Sequence, residues 1–390
     1  VVDKALRCLD RFLEDYPPDG GCDEGTSYWG RAGASLFDAL DWLQLATNGV
    51  VTAWDEPLIA EIGRFIARAH IDGDYFINFA DGGARVQIPA ERVYSYGLRI
   101  GDAGLCGLGA YAYRRQCERR LAPGGPLARL LPALFMHEQL ASAAAEPPYR
   151  PDVWLPQTEV MVARERGGTA EGLYLAAKGG HNAESHNHND VGQFILYCDG
   201  QPAVIDLGVE TYSAKTFSGR RYEIWTMRSS YHNLPDIDGC EQSPGREARA
   251  DDVRYAANAA GVEFSLDLTN AYPQAESLRS WRRTLRLVRG AQPEVAVADD
   301  AEFTRPATIQ LNLMCWGDCA ELAPGRFALG PGGRVELLFD AGSLAADLEA
   351  IPIADGRLAS AWGERVYRLR LAPNAPVTHG RWRFVFRKAR

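Results

Sequence analysis

The chain has 390 residues, 46% of them hydrophobic and 24% charged, with a formal net charge of -9. That length allows two domains with separate cores, and the composition is that of an ordinary soluble globular protein. The acidic balance argues against nucleic acid or an anionic membrane as the main partner. Apolar runs such as LLPALFM are far too short to span a bilayer. A polyanionic substrate would need a local basic patch. The eight cysteines (Cys8, Cys22, Cys106, Cys117, Cys198, Cys240, Cys315 and Cys319) form no CxxC pair and no dense framework, so they read as free thiols.

The first 150 residues read as helices. Leu6, Leu9, Phe12 and Leu13 recur at helical spacing from Val1 to about Tyr16, where Pro17-Pro18 stops the run. Because Val1 to Leu6 reads as the middle of a helix, the natural N-terminus, with any signal peptide, is expected to precede this numbering. Further helices are expected over Gly33 to Ala46, Pro57 to Ala69, Val93 to Arg99, Ala103 to Cys117 and Pro126 to Leu140. The stretch IDGDYFINFADGGAR between the third and fourth reads as turns, with Asn78 and Asp81 in turn-forming or sugar-contacting roles. Helices of similar length without strand alternation suggest helical hairpins.

From Thr158 the pattern changes to short runs rich in Val, Ile, Phe and Tyr, broken by Gly, Asp and Pro. About a dozen such strands argue for a large antiparallel sandwich. In Tyr367-Arg368-Leu369-Arg370-Leu371 the alternation places the apolar residues inward and both arginines toward water. The prolines from Pro147 to Pro156 read as a linker. The fold class expected is α+β multidomain, with an α-helical domain over 1-148 and an antiparallel β-sandwich over 157-390.

Four of the seven histidines (His181, His186, His188, His232) fall in one window of the second part. His188, Asp206 and His232 offer two imidazoles and a carboxylate, a set suited to zinc. If Asp199-Gly200 is a two-residue hairpin turn, Asp206 sits opposite Gln193, not His188. The chain from His186 to Asp190 must then fold back for His188 and Asp206 to share a metal. Tyr222, Arg220, Arg221 and Arg228 follow in RRYEIWTMR, where packing or solvated roles compete with contacts to acidic groups.

The runs HNHNDVGQF, AVIDLG and SSYHNLPDIDG resemble the C-terminal domain of the heparinase II/III-like family of polysaccharide lyases. The stretch DGGCDEGTSYW, residues 19–29, is similar to that family's DG…E…Y motif. The resemblance implies an incomplete, truncated (α/α) toroid followed by the sandwich. It implies Tyr28 and His186 as catalytic acid/base, and His188, Asp206 and His232 as ligands of a structural Zn2+. Glu24, Trp29, His181, Glu184, Tyr222 and Arg221 are the expected substrate contacts. The family's carboxylate-neutralising Asn or His would precede Val1.

The expected activity is β-elimination on a uronic-acid-containing glycan, heparin/heparan sulfate-like or alginate-like. Two rivals are a zinc-dependent glycan hydrolase and a non-catalytic glycan-binding module of the same fold. The partner is an acidic polysaccharide or oligosaccharide, with no nucleic acid and no membrane, and a homodimer is compatible with the sequence. The compartment, bacterial cytoplasm or periplasm, is left open.

Overall fold

The structure, a computed structural model, describes residues 2–120 and 127–389. The chain divides into two compact units, Val1–Ile77 with Arg85–Arg150, and Asn78–Ala84 with Pro151–Arg390.

The first unit is helical: α1 (Val2–Glu14), α2 (Gly33–Ala46), α3 (Pro57–Arg68), α4 (Ala90–Ile100), α5 (Ala103–Glu118), α6 (Leu127–Phe135) and α7 (His137–Ser142). The last expected helix is thus two. Pro132 lies inside α6, where its ring cannot supply the amide proton that the carbonyl of Ala128 would accept. Arg92 Nη2 takes that carbonyl instead, at 3.1 Å. The expected starts at Val1 and Pro126 lie outside the described residues. The stretch expected to be turns also holds two short paired strands, His70–Asp72 and Tyr75–Phe76.

Between α4 and α5 the chain reverses at Gly101 (φ 67), and Asp102 caps α5 by accepting from the Leu105 amide. The two helices pack backbone to backbone. A Cβ on Gly97 would lie 2.7 Å from the Cys106 nitrogen, and one on Gly109 would lie 2.6 Å from that of Tyr94. An aromatic group of Trp29, Phe37, Trp54 and Tyr96, with ring centroids 5.3 to 6.1 Å apart, fills the core beside them. Burying each ring contributes roughly 1.5–3 kcal/mol.

The second unit is built on two large antiparallel sheets closed over one core, with a further two-stranded pair of 181–182 and 245–249. One sheet runs in the order 251–258, 261–267, 278–288, 294–307, 377–388, 335–338, 326–330 and 318–323. The other runs 344–352, 365–373, 309–315, 201–204, 194–198, 173–178, 160–164 and 152–155, with 235–237 pairing beside 309–315. Asp152–Leu155 is therefore an edge strand inside the segment expected as linker. The strand Arg365–Pro373 departs from simple alternation. Arg368 is buried, not solvated: the segment Ser229–Tyr231 covers it, the Ser230 carbonyl accepts from its Nη1, and its guanidinium lies over the Tyr231 ring. Among the described residues no helix is long and apolar enough to cross a membrane.

Candidate active site and metal centre

The histidine window is shaped by two backbone devices. Asp199 (φ 50) and Gly200 (φ 71) form the expected two-residue hairpin, pairing Cys198 with Gln201. The register then slips by one residue between Tyr197 and Leu196, which pairs with Val204, so Asp206 is shifted from the expected place opposite Gln193. Gln193 Nε2 nevertheless donates to Asp206 Oδ2 at 3.0 Å. The second device is His186 itself, at φ 54 in the left-handed region. For a residue other than glycine that conformation is unfavourable by about 1 kcal/mol or more, so the surroundings must hold it. This bend turns the chain inward, so that Asn187, His188, Asn189 and Asp190 are all buried. The Asn189 amide donates to the Met227 carbonyl at 3.0 Å.

The inward turn brings His188 to Asp206 and His232. One donor atom from each of the three lies within 4.8 Å of the others, and all three residues are fully buried. His188 Nδ1 and both ring nitrogens of His232 are buried without a hydrogen-bond partner. His232 Nδ1 is 3.2 Å from Asp206 Oδ2, close enough for ionic attraction but not aligned as a hydrogen bond. Leaving such groups unsatisfied is unfavourable by about 1–3 kcal/mol each, so lone pairs converging on one point fit a metal ion. Burial disfavours charge on Asp206, yet His232, then His188, and the Gly208 amide bring its pKa down to about 2. It is therefore an ionised donor. Burial opposes charge on His232 too, but Asp206 raises its pKa overall.

Charge around the set agrees with a dication. The carboxylates of Asp81, Glu184, Asp190 and Asp206 face two cations, Lys178 and Arg221, leaving an excess of two negative charges when the imidazoles are neutral. Lys178 is buried between Glu184 and Asp190, 2.8 Å from each. Burial would discharge it, but the two carboxylates hold its pKa above the usual lysine range.

Asp81 is the residue that the sequence reading left in a turn. It is fully buried, and its carboxylate has four partners. Oδ2 meets His186 Nδ1 at 2.7 Å and the Tyr212 hydroxyl at 2.9 Å. Oδ1 meets His188 Nε2 at 3.1 Å and Arg221 Nη2 at 2.6 Å. Burial alone would raise its pKa, but His188, Arg221 and His186 hold it well below the usual carboxylate range. His186 is left with 20% of its side chain exposed. Tyr212 stacks on it, with ring centroids 6.3 Å apart, and carries the Arg357 guanidinium on its ring. Asp81 gave no sequence signal beyond an Asp-Gly turn, and Tyr212 gave none. A contact across 105 residues cannot be read from spacing.

The other expected site residues separate into groups. Tyr28 and Glu24 are partly exposed in the first unit. Tyr28 ends the 3-10 turn Thr26–Tyr28, which is fastened on both sides. Thr26 Oγ1 donates to the Ile77 carbonyl at 2.6 Å, and Trp29 Nε1 to the Ile62 carbonyl at 2.7 Å. Trp29 is consequently not a sugar platform: it is fully buried against Gly33 and Tyr96 and offers no free face.

Arg221 is corrected as well. Its donors go to Asp81, to the carbonyls of His186 and Asn187, and to that of Thr216, so it braces the window from inside. Glu184 is committed to Lys178 and to the His181 amide rather than to a ligand. His181 is half-buried, its Nδ1 accepting from the Ala183 amide. Tyr222 is half-buried, and its hydroxyl accepts from Asn187 Nδ2 at 3.0 Å. Arg220 and Arg228 pair with Glu223 and Glu241.

No curated protein matches the sequence. A family model described as heparinase II/III-like, C-terminal, matches residues 147–348. Among solved structures, one of heparinase III is similar with a TM-score of 0.70 at 15% identity, covering 98% of this chain and 56% of that one. A mutant of the heparan sulfate lyase HepC from Pedobacter heparinus gives a TM-score of 0.69 at 12% identity, over 97% of this chain and 54% of that one. A Paenibacillus xanthan lyase gives 0.55 at 13% identity, over 93% and 38%. The chain thus spans about half the length of the first two. At these identities the likeness is one of fold, a helical part followed by a large β-sandwich.

Proposed function

Because the chain belongs to the heparinase II/III-like family, we propose that it contributes to a polysaccharide lyase that cleaves a uronic-acid-containing glycan by β-elimination. The observation that carries this reading is the imidazole of His186, one-fifth exposed and held by the buried carboxylate of Asp81. That is the arrangement a proton-transfer group needs: one nitrogen fixed by a carboxylate in a ring that is not fully buried. The solved lyases that share the fold support it.

In β-elimination the C5 proton of a uronate is removed and the 4-linked oxygen leaves. The proton is weakly acidic, so charge developing on the carboxylate must be stabilised, a base must take the proton, and an acid must serve the leaving oxygen. We assign the acid and base roles to Tyr28 and His186. Tyr28 suits the task because its turn is anchored at Thr26 and Trp29 while its phenol stays partly exposed.

His188, Asp206 and His232 would hold the Zn2+. Bound there, the ion would supply structural cross-linking. Three protein donors would leave a coordination position open, as in zinc hydrolases, but full burial of all three residues favours a structural ion over one that meets substrate. The heparin/heparan sulfate-like and alginate-like glycans remain the proposed substrate classes.

The test is the absorbance of unsaturated uronate released from a panel of uronic-acid polymers by the full-length protein. Wild type should give a rising signal on at least one polymer. Tyr28→Phe should lower that rate by roughly 10²-fold or more, with the thermal midpoint nearly unchanged. A flat wild-type trace on every polymer would overturn the lyase reading.

A further inference from the structure

The carboxylate of Asp81 touches two histidines that the proposed function gives different tasks, and it touches each at a different oxygen. An ionised carboxylate only accepts hydrogen bonds, and its two oxygens offer about four lone-pair positions. All four are used: His186 Nδ1 and the Tyr212 hydroxyl at Oδ2, His188 Nε2 and Arg221 Nη2 at Oδ1. Tyr212 and Arg221 can only donate here. Each imidazole nitrogen facing Asp81 must therefore carry a proton.

A neutral imidazole has one protonated nitrogen, so the contact that fixes one nitrogen decides the other. His186 then holds its proton on Nδ1 and keeps its lone pair on Nε2. His188 holds its proton on Nε2 and keeps the lone pair of Nδ1, the buried nitrogen without a partner, which is thereby the one left for the metal set. The two tautomers are opposite, and one carboxylate selects both.

We propose that Asp81 is a positioning residue that couples the metal set to the proton-transfer histidine, by fixing His186 as the Nδ1–H tautomer and His188 as the Nε2–H tautomer. This rests on the roles given to His186 and to the metal set above. The geometry supplies a reason for the coupling. Asp81, Asp206 and His188 are fully buried, and the bend at His186 is only two residues from His188. A ligand that draws on His188 Nδ1 strengthens its Nε2–H bond to Oδ1. The same carboxylate then keeps its orientation toward His186. Hydrogen-bonded carboxylates behind a metal-bound histidine typically change metal affinity by about 10–100-fold when removed. Here the same group also aims a second imidazole.

The test reads tautomers, not turnover, so it stands or falls separately from lyase activity. Histidine is isotope-labelled in the full chain, and imidazole nitrogen–proton correlation spectra are recorded where the rings are neutral. His186→Gln and His188→Gln variants assign the signals. Wild type should show His186 protonated at Nδ1 and His188 at Nε2. Titrating the metal-free protein with Zn(II) should shift the His186 signals of wild type. In Asp81→Asn, His186 should move to a mixture dominated by Nε2–H, its response to Zn(II) should vanish, and Zn(II) affinity should fall about 10–100-fold.

A wild-type His186 protonated at Nε2 would overturn the proposal without any variant, which matters if Asp81→Asn does not fold. So would a folded Asp81→Asn that keeps the wild-type tautomers. Correct tautomers in a protein without lyase activity would support the coupling while removing the lyase reading.

Discussion

Three carboxylates of the second unit, Asp81 and Asp206 fully buried and Asp236 half-buried, differ in what surrounds them, and their protonation follows. Asp81 and Asp206 face imidazoles, and Asp81 also an arginine, so each stays ionised despite burial. Asp236 has hydrogen bonds from Ser230 Oγ and Asn312 Nδ2, which are neutral donors. Burial dominates there, and its pKa rises to about 6. In the unfolded chain the same carboxyl ionises near about 3.9. The folded state thus binds the proton more tightly between those values. The stabilisation it gives is full below the unfolded pKa and is lost as pH rises through about 6. Asp236→Asn removes this loss. The thermal midpoint of the variant minus that of wild type should become more positive as pH rises across this window. A difference that stays flat, or falls, would contradict the assignment. At this scale motif residues were legible and bracing residues were not. His188, Asp206 and His232 could be paired by type, whereas Asp81, Tyr212 and the inward commitment of Arg221 depend on contacts set by the fold.

The hairpin of Leu278–Val288 with Glu294–Ala307 shows how one strand pair supports the histidine window. Arg283 and Asp299 are directly opposite in register and form a buried bidentate pair, with both contacts at 2.8 Å. Trp281 Nε1 gives Asp299 a further donor. The remaining arginine nitrogen, Nη1, donates to the carbonyls of Gly192 and Asn233. Those residues neighbour Asp190 and His232, so the pair fastens both arms of the window to the sheet. Asp299→Ala would leave the guanidinium buried without its counter-charge, and should destabilise the protein by about 3–5 kcal/mol in denaturant unfolding. Replacing both partners by Met and Leu should recover most of that loss. A single variant as stable as wild type would show that the pair is not needed. Strands such as this one were legible because hydrophobic residues alternate along them. The same alternation misled at Arg368, because an outer face reads as solvated until another segment covers it. The helix break at Met136, between α6 and α7, was missed, and the breaker Pro132 does not mark it, since α6 runs on through that residue to Phe135.

For the molecule as a whole, the change from helical to alternating pattern near residue 150 was visible in composition. The transfer of Asn78–Ala84 to the second unit was not, since its Gly and Asp residues say only that the chain turns. That excursion delivers Asp81 to the histidines, so the detail least legible in the sequence is the one on which the candidate site is organised. The central claim is a reaction class: elimination, with no water added across the cleaved bond. The most direct test is mass spectrometry of products made by the full-length protein in heavy-oxygen water. The account predicts an unsaturated sugar at the new non-reducing end and no heavy oxygen incorporated at cleavage. Saturated products carrying one heavy oxygen per cut would contradict it, and would assign the chain to hydrolysis.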